Sequence, residues 1–452
     1  MKKYIIYIIS LQCLLSIASA QTINTQTIDE SRYHINTTYD LHFSKPIIRI
    51  SNSTNIVVAY YENNYHGVFI VFDYNNPIAS VDTFGLPYHH YVYDFEISGS
   101  KVYLCGEVVT SIKKSKAVIG MFDYNDILIN GTTNLDLFTL ETSRDKSKLN
   151  KMVAYNHPIT GDLTIFAIGF GENYDEEQMT FIDEIDFVVE AVPASVYFNI
   201  STFNYERYYD VIETDKHVIL AGTIINAPTI NPIGFRKFEK VNTRSGIEND
   251  FYYEQLPEPE PLTYIIGENI PGTELFFTAT FANINGYNGT IIRKYNALTM
   301  TMLHSQFVLA SSDEKTEPYE LKHMLGTDKI LLLENSTDAS MPNRIVYIDT
   351  NNQNTYSAIV DFYNPWGFYS IEQLTTEKYI TIGYSTNNPV FLIKNIFHDL
   401  GCVIQKEFKV LISNNYSLTQ VNVPLISFLP IVKKNPINLQ SQTENIIIDC
   451  IF

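Results

Sequence analysis

The chain has little positive charge. Its 452 residues contain 31 Lys and Arg against 50 Asp and Glu, which gives a formal net charge of −19 at pH 7. Nucleic acids and anionic membrane surfaces are bound through clustered lysines and arginines. The composition therefore argues against both as partners, and the excess of acid is typical of a soluble exported protein.

The common enzyme signatures are also absent. The sequence contains no Gly-x-Ser-x-Gly elbow, no His-Glu-x-x-His, no Gly-x-Gly-x-x-Gly, no phosphate loop and no Cys-x-x-Cys pair. We therefore expect no cofactor and no metal, and we favour a protein that is not an enzyme. Catalysis stays open, because catalytic groups can lie singly on separate elements that the fold brings together.

The first twenty residues predict an export signal. Lys2 and Lys3 precede an apolar stretch from Tyr4 to Leu15, and a run of small residues ends at Ala20. An alternative is lipidation at Cys13. No later stretch is apolar for the length that a membrane helix needs, so we expect no transmembrane segment. The mature chain is thus expected in the periplasm, at the cell surface or outside the cell.

Three cysteines remain after cleavage at residue 20. Cys105 lies in the apolar run VYLCG and is predicted to pack as a small buried residue. Cys402 and Cys450 flank the C-terminal segment, and an exported protein can keep a disulfide. We predict a Cys402–Cys450 bridge; the alternative is two unpaired thiols.

A phrase that recurs seven times dominates the rest of the chain. Its clearest copies are YDFEISGSKVYLCGE, from Tyr93, and YDVIETDKHVILAGT, from Tyr209. The copies follow one another at roughly 50 residues with about four strand-sized segments each, as β-propeller blades do. The apolar runs of the seven copies are anchored at Ile56, Val102, Ile165, Val218, Leu275, Ile330 and Tyr379.

This repeat predicts an all-β fold: a seven-bladed β-propeller of four-stranded antiparallel blades, with a short C-terminal strand extension. We place the signal peptide at residues 1–20, a flexible segment at 21–30, the propeller at 31–416 and the closing segment at 417–452. The strands of the fourth blade are predicted at Tyr208–Thr214, His217–Ile225, Ile233–Val241 and Asp250–Leu256.

The two ends of the chain are expected to complete the ring. Tyr33 to Phe43 is predicted to give a strand to the last blade. The apolar pieces VNVPLISFLPIV and NIIIDCIF of the tail are predicted to form an extra strand pair, strapped by the disulfide.

The fourth copy, YDVIETDKHVILAGT followed by FRKF, resembles the delta-60 type of propeller repeat found in secreted bacterial proteins. The second copy shares the pattern, and the DTFG of Asp82 to Gly85 resembles the segment that precedes such copies. The apolar run of each clear copy is followed by a closing glycine, Gly106 or Gly222. This glycine is replaced by another residue in three loose copies, at Tyr60, Ala279 and Glu334. The resemblance implies a secreted bacterial seven-bladed β-propeller and no single activity.

The first strand of each predicted blade lines the central channel, and charged residues fall there. Asp94, Asp210 and Lys322 take the same aligned position, twelve residues before the closing residue of their copies, and Glu372 belongs to the seventh copy. These four residues are our candidate ligand-binding residues. The carboxylates could bind a cation, act as an acid and base pair on a sugar, or simply pair with one another in water.

One aromatic loop is the other candidate binding site. FYNPWGFY, Phe362 to Tyr369, contains the single tryptophan, Trp366. Exposed rings of this kind stack on sugars or anchor protein partners. The alternative is that Trp366 fills the gap between two blades.

We therefore predict an exported, monomeric β-propeller that acts as a binding or scaffold module for a protein or glycan. The main rival is a glycan-active hydrolase or lyase with carboxylates at the mouth of the channel. A third possibility is a purely structural surface protein.

Overall fold

A computed structural model gives the fold of the chain. It describes residues 31–36, 46–51, 54–62, 67–75, 81–142, 144–175, 179–192, 195–201, 206–224, 233–241, 250–254, 265–284, 287–309, 316–327, 329–336, 344–349, 356–360, 368–375, 378–385, 388–395, 410–412, 419–422, 425–428 and 431–449.

The described residues form strands and one short helix, as expected from the many Tyr, Phe, Ile and Val residues. In chain order the elements are β1 (Ser31–Asn36), β2 (Ile47–Ile50), β3 (Ile56–Glu62), β4 (Gly67–Asp73), β5 (Val81–Gly85), β6 (His90–Ser98), β7 (Lys101–Ser111), β8 (Lys114–Asp123), α1 (Tyr124–Asn130), β9 (Thr132–Glu141), β10 (Lys146–Asn156), β11 (Leu163–Asp175), β12 (Thr180–Val192), β13 (Ser195–Ser201), β14 (Glu206–Glu213), β15 (His217–Ile224), β16 (Ile233–Glu239), β17 (Asp250–Glu254), β18 (Ile265–Asn269), β19 (Leu275–Ile284), β20 (Tyr287–Asn296), β21 (Thr301–Leu309), β22 (Thr316–His323), β23 (Lys329–Ser336), β24 (Arg344–Asp349), β25 (Tyr356–Val360), β26 (Phe368–Gln373), β27 (Lys378–Ser385), β28 (Asn388–Asn395), β29 (Val410–Ile412), β30 (Thr419–Asn422), β31 (Leu425–Phe428), β32 (Ile431–Gln440) and β33 (Gln442–Asp449).

The strands form a β-propeller, but its sheets are not the seven separate blades that the sequence predicts. Five sheets are separate blades: β6–β9 with β32, β10–β13 with β31, β14–β17 with β30, β18–β21 with β29, and β22–β25. The remaining strands form one nine-stranded sheet in the order β2-β3-β4-β5-β33-β1-β28-β27-β26. The prediction of seven separate blades is wrong because β33 pairs with β5 on one side and with β1 on the other, which joins the first hairpins to the last.

The ring closes through its innermost strands. We call β2, β6, β10, β14, β18, β22 and β26 the inner strands; each contacts the next, and β26 contacts β2. At the N-terminus, β1 pairs antiparallel with β28, Tyr33 opposite Phe391. The prediction that this segment gives a strand to the last copy of the repeat is therefore confirmed at its start, and residues 37–43 of it lie outside the described residues.

Each copy of the repeat forms a hairpin between an inner strand and the strand that follows it. The anchors lie in β3, β7, β11, β15, β19, β23 and β27. In the fourth copy, β14 to β17 match the four predicted strands to within two residues at each end. The apolar period of the sequence therefore located these strands correctly.

The apolar runs are buried on both faces because they lie between neighbouring sheets. In β15, Val218 and Leu220 pack in one hydrophobic cluster, whereas Ile219 and Ala221 pack in another on the opposite side. This alternation explains why VILA contains no polar residue. Cys105 of β7 is buried in the same manner, as predicted, and burial raises the pKa of its thiol.

The C-terminal strands run around the outside of the ring in reverse order. Each adds to the outer strand of a different sheet: β29 to β21, β30 to β17, β31 to β13, β32 to β9 and β33 to β5. The predicted strand pair within the tail is therefore wrong. The apolar pieces find their hydrogen-bond partners in the exposed edges of the sheets, which satisfy more backbone groups than a lone hairpin would.

A steric restriction explains why a glycine follows the apolar run in the clear copies of the repeat. In the second and fourth hairpins, the strand register skips Tyr93 and Tyr209 at a β-bulge, and a glycine lies opposite the residue just before the skip. A Cβ atom on Gly106 would come within 1.9 Å of the Tyr91 carbonyl oxygen, and one on Gly222 within 2.0 Å of the Arg207 carbonyl oxygen. The bulge therefore requires glycine at this point.

We predict that Gly222→Ala lowers the free energy of unfolding by about 1 to 3 kcal/mol, because a fixed backbone oxygen would have to move. Gly171→Ala is the matched control, since its Cβ atom would meet the Arg144 side chain at 2.8 Å and no backbone atom closer than the Lys146 carbonyl oxygen at 3.2 Å. Urea denaturation of both variants measures the difference. Equal losses would show that the contact between glycine and the bulge does not matter.

Candidate functional site

A central cavity of about 320 Å³ lies where the inner strands meet. All seven inner strands contribute lining residues, and most of the charged ones are acidic. The lining carboxylates are Asp94, Glu96, Asp210, Glu213, Glu268, Glu320 and Glu372, and the lining cations are Arg49, Lys151 and Lys322. With every group ionised, seven negative charges would face three positive ones.

The structure brings four of the predicted site residues together, since Asp94, Asp210, Lys322 and Glu372 all line this cavity. Trp366 lies outside the described residues, as do Cys402 and Cys450 of the predicted disulfide. The signal sequence also lies outside them.

The predicted alignment of Lys322 with Asp94 and Asp210 is wrong. Asp94 and Asp210 are the first residues after their bulges, and in the sixth copy that position belongs to Glu320. Ile97 pairs with Val102, whereas His323 pairs with Ile330, so the turn of the sixth hairpin is two residues longer.

The aspartates hold neighbouring inner strands together. The backbone N–H of Met152 donates to Asp94 Oδ2 at 3.1 Å, and that of Gly267 donates to Asp210 Oδ2 at 2.6 Å. In each case the acceptor belongs to one inner strand and the donor to the next. The second oxygen of each carboxylate accepts from the N–H of the residue that follows it, Phe95 or Val211.

Three other junctions of the ring repeat this arrangement. The N–H of His323 donates to Glu268 Oε1 at 3.3 Å, and that of Ile371 donates to Glu320 Oε2 at 2.7 Å. At the closure, the N–H of Ile48 donates to the hydroxyl oxygen of Ser370 at 3.2 Å. These side chains satisfy backbone donors that would otherwise be buried without a partner.

Arg49 is the main cation of the cavity. Its guanidinium lies 2.9 Å from Asp94, 3.4 Å from Glu372, 3.5 Å from Glu96 and 3.6 Å from Glu320. Burial alone would lower the pKa of Arg49, but Glu96 and Asp94 raise it well above its usual value. The side chain therefore stays charged and links carboxylates from three inner strands.

Lys322 has a similar role beside Arg49, with which it shares the carboxylates of Glu320 and Glu372. Its ammonium lies 2.8 Å from Glu372 and 3.7 Å from Glu320. Burial opposes its charge, but Glu372 and Glu268 raise the pKa of Lys322 above its usual value. Lys151 lies 3.8 Å from Asp94 and contributes the third cation.

The three cations do not balance the acids. Burial raises the pKa of Glu96 from 4.5 to about 7. The positive charge of Arg49 opposes this rise, and the negative charge of Asp94 adds to it. Burial likewise raises the pKa of Glu268 to about 7, despite Lys322. The pKa of Asp210 is also raised by burial. The cavity can therefore hold carboxylic acids that exchange protons near neutral pH.

Sequence reasoning missed Arg49, Lys151, Glu213, Glu268 and Glu320 as lining residues. Glu320 carried a usable signal, because Tyr319-Glu320 repeats the Tyr-acid pair of the clear copies, Tyr93-Asp94 and Tyr209-Asp210. Arg49 and Glu268 lie in loose copies, where no motif marks the position. Within the described ranges, no three His, Cys, Asp or Glu residues are placed to hold a metal ion.

No protein-family model matches the chain. No curated protein matches it either. Nor is any helix in the described part of the chain long and apolar enough to cross a membrane.

Solved structures resemble the chain only distantly. The β-propeller domain of Nup133 from Vanderwaltozyma polyspora has a TM-score of 0.40 and 9% identity, covering 82% of this chain and 98% of its own. The endosialidase of phage phi92 has a TM-score of 0.39 and 9% identity, covering 84% and 71%. A β-fructofuranosidase of Bombyx mori, solved with sucrose, has a TM-score of 0.33 and 8% identity, covering 87% and 93%. Likenesses this weak carry no argument about function.

We predict that Arg49→Leu lowers the free energy of unfolding by about 3 to 5 kcal/mol, because it leaves buried carboxylates without their cation. Lys434→Leu is the control: its ammonium forms an exposed ion pair with Asp136 at 2.8 Å, and we expect a loss of about 1 kcal/mol or less. Chemical denaturation measures both. Similar losses would contradict a central role for Arg49.

We also predict that Glu96 and Glu268 make the fold less stable as pH rises. Their pKa is about 7 in the folded chain and about 4.5 when exposed, so their contribution is full below about 4.5 and is lost as pH rises towards 7. Glu96→Gln or Glu268→Gln should each reduce the stability difference between pH 5 and pH 8 by about 1 to 3 kcal/mol, since these side chains are partly open to solvent.

The measurement is urea denaturation of each variant at both pH values. Asp136→Asn, in the ion pair with Lys434 outside the cavity, is the control, and a similar change in this variant would show that the effect does not come from the cavity. A Gln variant with the wild-type slope would show that the carboxyl titrates at its ordinary pKa.

Proposed function

We propose that the protein is an exported β-propeller that acts as a binding or scaffold module at the cell surface or in the periplasm. Its partner would be a protein or a glycan. The observation that carries this proposal is the use of Asp94, Asp210 and Glu320 as acceptors for the N–H groups of the next inner strand. Carboxylates that hydrogen-bond neighbouring strands have a structural role, which favours a rigid scaffold that presents its loops to a partner.

The charge and the ends of the chain support the same proposal. The net charge of −19 disfavours nucleic acid and anionic membranes as partners. The apolar stretch in residues 1–20 favours export, and Cys402 and Cys450 would be oxidised to a disulfide in that environment. The proposed protein acts as a monomer.

A glycan-active hydrolase or lyase is the second candidate, and one observation favours it. Glu96 and Glu268 share the cavity with Glu372, and their raised pKa values would let one carboxyl act as an acid while another acts as a base or nucleophile. The two candidates differ in which side chains they require.

The deciding experiment uses the chain expressed with its own first twenty residues. We expect mass spectrometry of the exported protein to find Gln21 at its N-terminus. The purified protein is then tested on a glycan array, with an extract of cell-surface proteins, and for release of reducing ends from a polysaccharide panel. We expect binding without turnover, and Trp366→Ala is expected to weaken binding by about tenfold if its ring contacts the partner.

Three results would contradict the proposal. Recovery of the protein only inside the cell, with residues 1–20 retained, would contradict export. Turnover that Glu96→Gln or Glu268→Gln abolishes would replace the binding module with the hydrolase or lyase. Absence of both binding and turnover would leave the purely structural surface protein.

A further inference from the structure

One face of the ring is built from the turns that follow the inner strands. In an antiparallel meander, the connection from first to second strand and that from third to fourth lie at the same end of the sheet. Hydrogen bonds confirm this: the N–H of Lys240 donates to Lys216 O at 2.9 Å, and that of Ala297 donates to Glu274 O at 2.7 Å. We call this end of the ring the turn face.

Neighbouring sheets are also joined at this face. The N–H of Asp215 donates to Thr273 O at 3.0 Å, from one turn to the next. The N–H of Leu325 donates to Gln373 Oε1 at 2.7 Å. The turns therefore form a connected surface.

Each of the five separate blades exposes a large aliphatic side chain on the turn face. Ile129 lies on α1, Ile159 and Leu325 lie in turns after inner strands, and Val241 and Leu298 lie in turns after third strands. Their exposed fractions are 79% for Ile129, 71% for Ile159, 45% for Val241, 56% for Leu298 and 47% for Leu325.

Hydrogen bonds order the backbone of two of these turns. The N–H of Ile159 donates to His157 Nδ1 at 3.3 Å, and the N–H of Leu298 donates to Asn296 Oδ1 at 2.9 Å. Lys237 of the neighbouring sheet donates to the Leu298 carbonyl at 3.3 Å. Exposed apolar groups on ordered turns are suited to a partner, because little entropy is lost when they are covered.

The acidic cavity lies at the same end of the ring. Its lining includes Ile97, Ala154, Glu213 and Asn269, which are the last or nearly the last residues of their inner strands. The turn face thus combines aliphatic side chains with a central depression in which seven carboxylates meet three cations. A partner that complements this surface carries positive charge among apolar residues.

We propose that the turn face binds a protein segment in which lysine or arginine alternates with aliphatic residues. The cation would enter the mouth of the acidic cavity, and the aliphatic groups would cover the side chains of the five blades. This inference rests on the proposed binding function and names its partner. A protein fits better than a glycan, because sugars stack on aromatic rings and the five exposed groups are aliphatic.

The test uses a synthetic fluorescent peptide of alternating leucine and lysine, about twelve residues long, which spans roughly 40 Å when extended. Fluorescence anisotropy measures its affinity for the mature chain. Matched peptides carry glutamate or serine in place of lysine. We expect the lysine peptide to bind most tightly and the glutamate peptide not to bind.

Variants then locate the site. Ile159→Ser and Leu298→Ser should each weaken binding by about tenfold, since each removes an apolar contact. Ile112→Ser and Met179→Ser are matched controls: both residues are more exposed than those of the turn face, and they lie between second and third strands at the opposite end of the sheets. The controls should bind as the wild type does.

Three outcomes would overturn the inference. Equal effects of the serine variants at both ends, including no effect at either, would mean that the peptide senses only the overall negative charge. Equal binding of the glutamate peptide would exclude charge recognition. If the chain binds a glycan or a protein in the preceding experiment but ignores the lysine peptide, the proposed function stands and only this inference fails.

Discussion

The structure depends on the hydrogen bonds that neighbouring inner strands make through side chains. An inner strand has a hydrogen-bonded partner strand on one side only, so its other edge presents backbone N–H groups inside the ring. A buried N–H without an acceptor destabilises the fold by about 1 to 3 kcal/mol. Asp94, Asp210, Glu268 and Glu320 supply the acceptors, and Ser370 does so where the ring closes. The packing of neighbouring sheets can then stay apolar.

The acidic cavity follows from this arrangement. Each carboxylate that accepts a hydrogen bond from the neighbouring inner strand brings a negative charge to the centre of the ring. The charges accumulate because the inner strands meet there. Arg49 and Lys322 offset part of the repulsion by contacting several carboxylates each. The cations do not offset the whole negative charge of the cavity, and burial raises the pKa of Glu96 and of Glu268. A structural requirement of the ring therefore produces its charge pattern, and any ligand of the cavity must complement a field that the fold already needs.

The sequence predicted the features that depend on local pattern. The propeller fold, the four strands of the fourth copy, the N-terminal strand on β28 and the buried Cys105 follow from apolar period and turn residues. The sequence did not predict the features that depend on pairing between distant parts of the chain. The alignment failed at Lys322 because the turn of the sixth hairpin is two residues longer, and Arg49 carries no signal because its contacts come from three other inner strands. The nine-stranded sheet depends on β33, which pairs with strands about 360 to 410 residues earlier in the chain.

The C-terminal strands also bear on where a partner can bind. An open strand at the outer edge of a blade would accept a strand from another protein, which is a common mode of recognition. Here β29 to β32 cover the outer strands of four blades, but each of them ends its own sheet, as β25 does. Within the described strands of the tail, β33 differs, because β5 pairs with one of its edges and β1 with the other. Five sheets therefore keep an open strand edge on the perimeter of the ring, whereas the nine-stranded sheet ends in the inner strands β2 and β26. The turn face lies at one end of the ring, so a partner bound there would leave those outer edges free, and strand addition and binding at the turn face are separate modes of recognition.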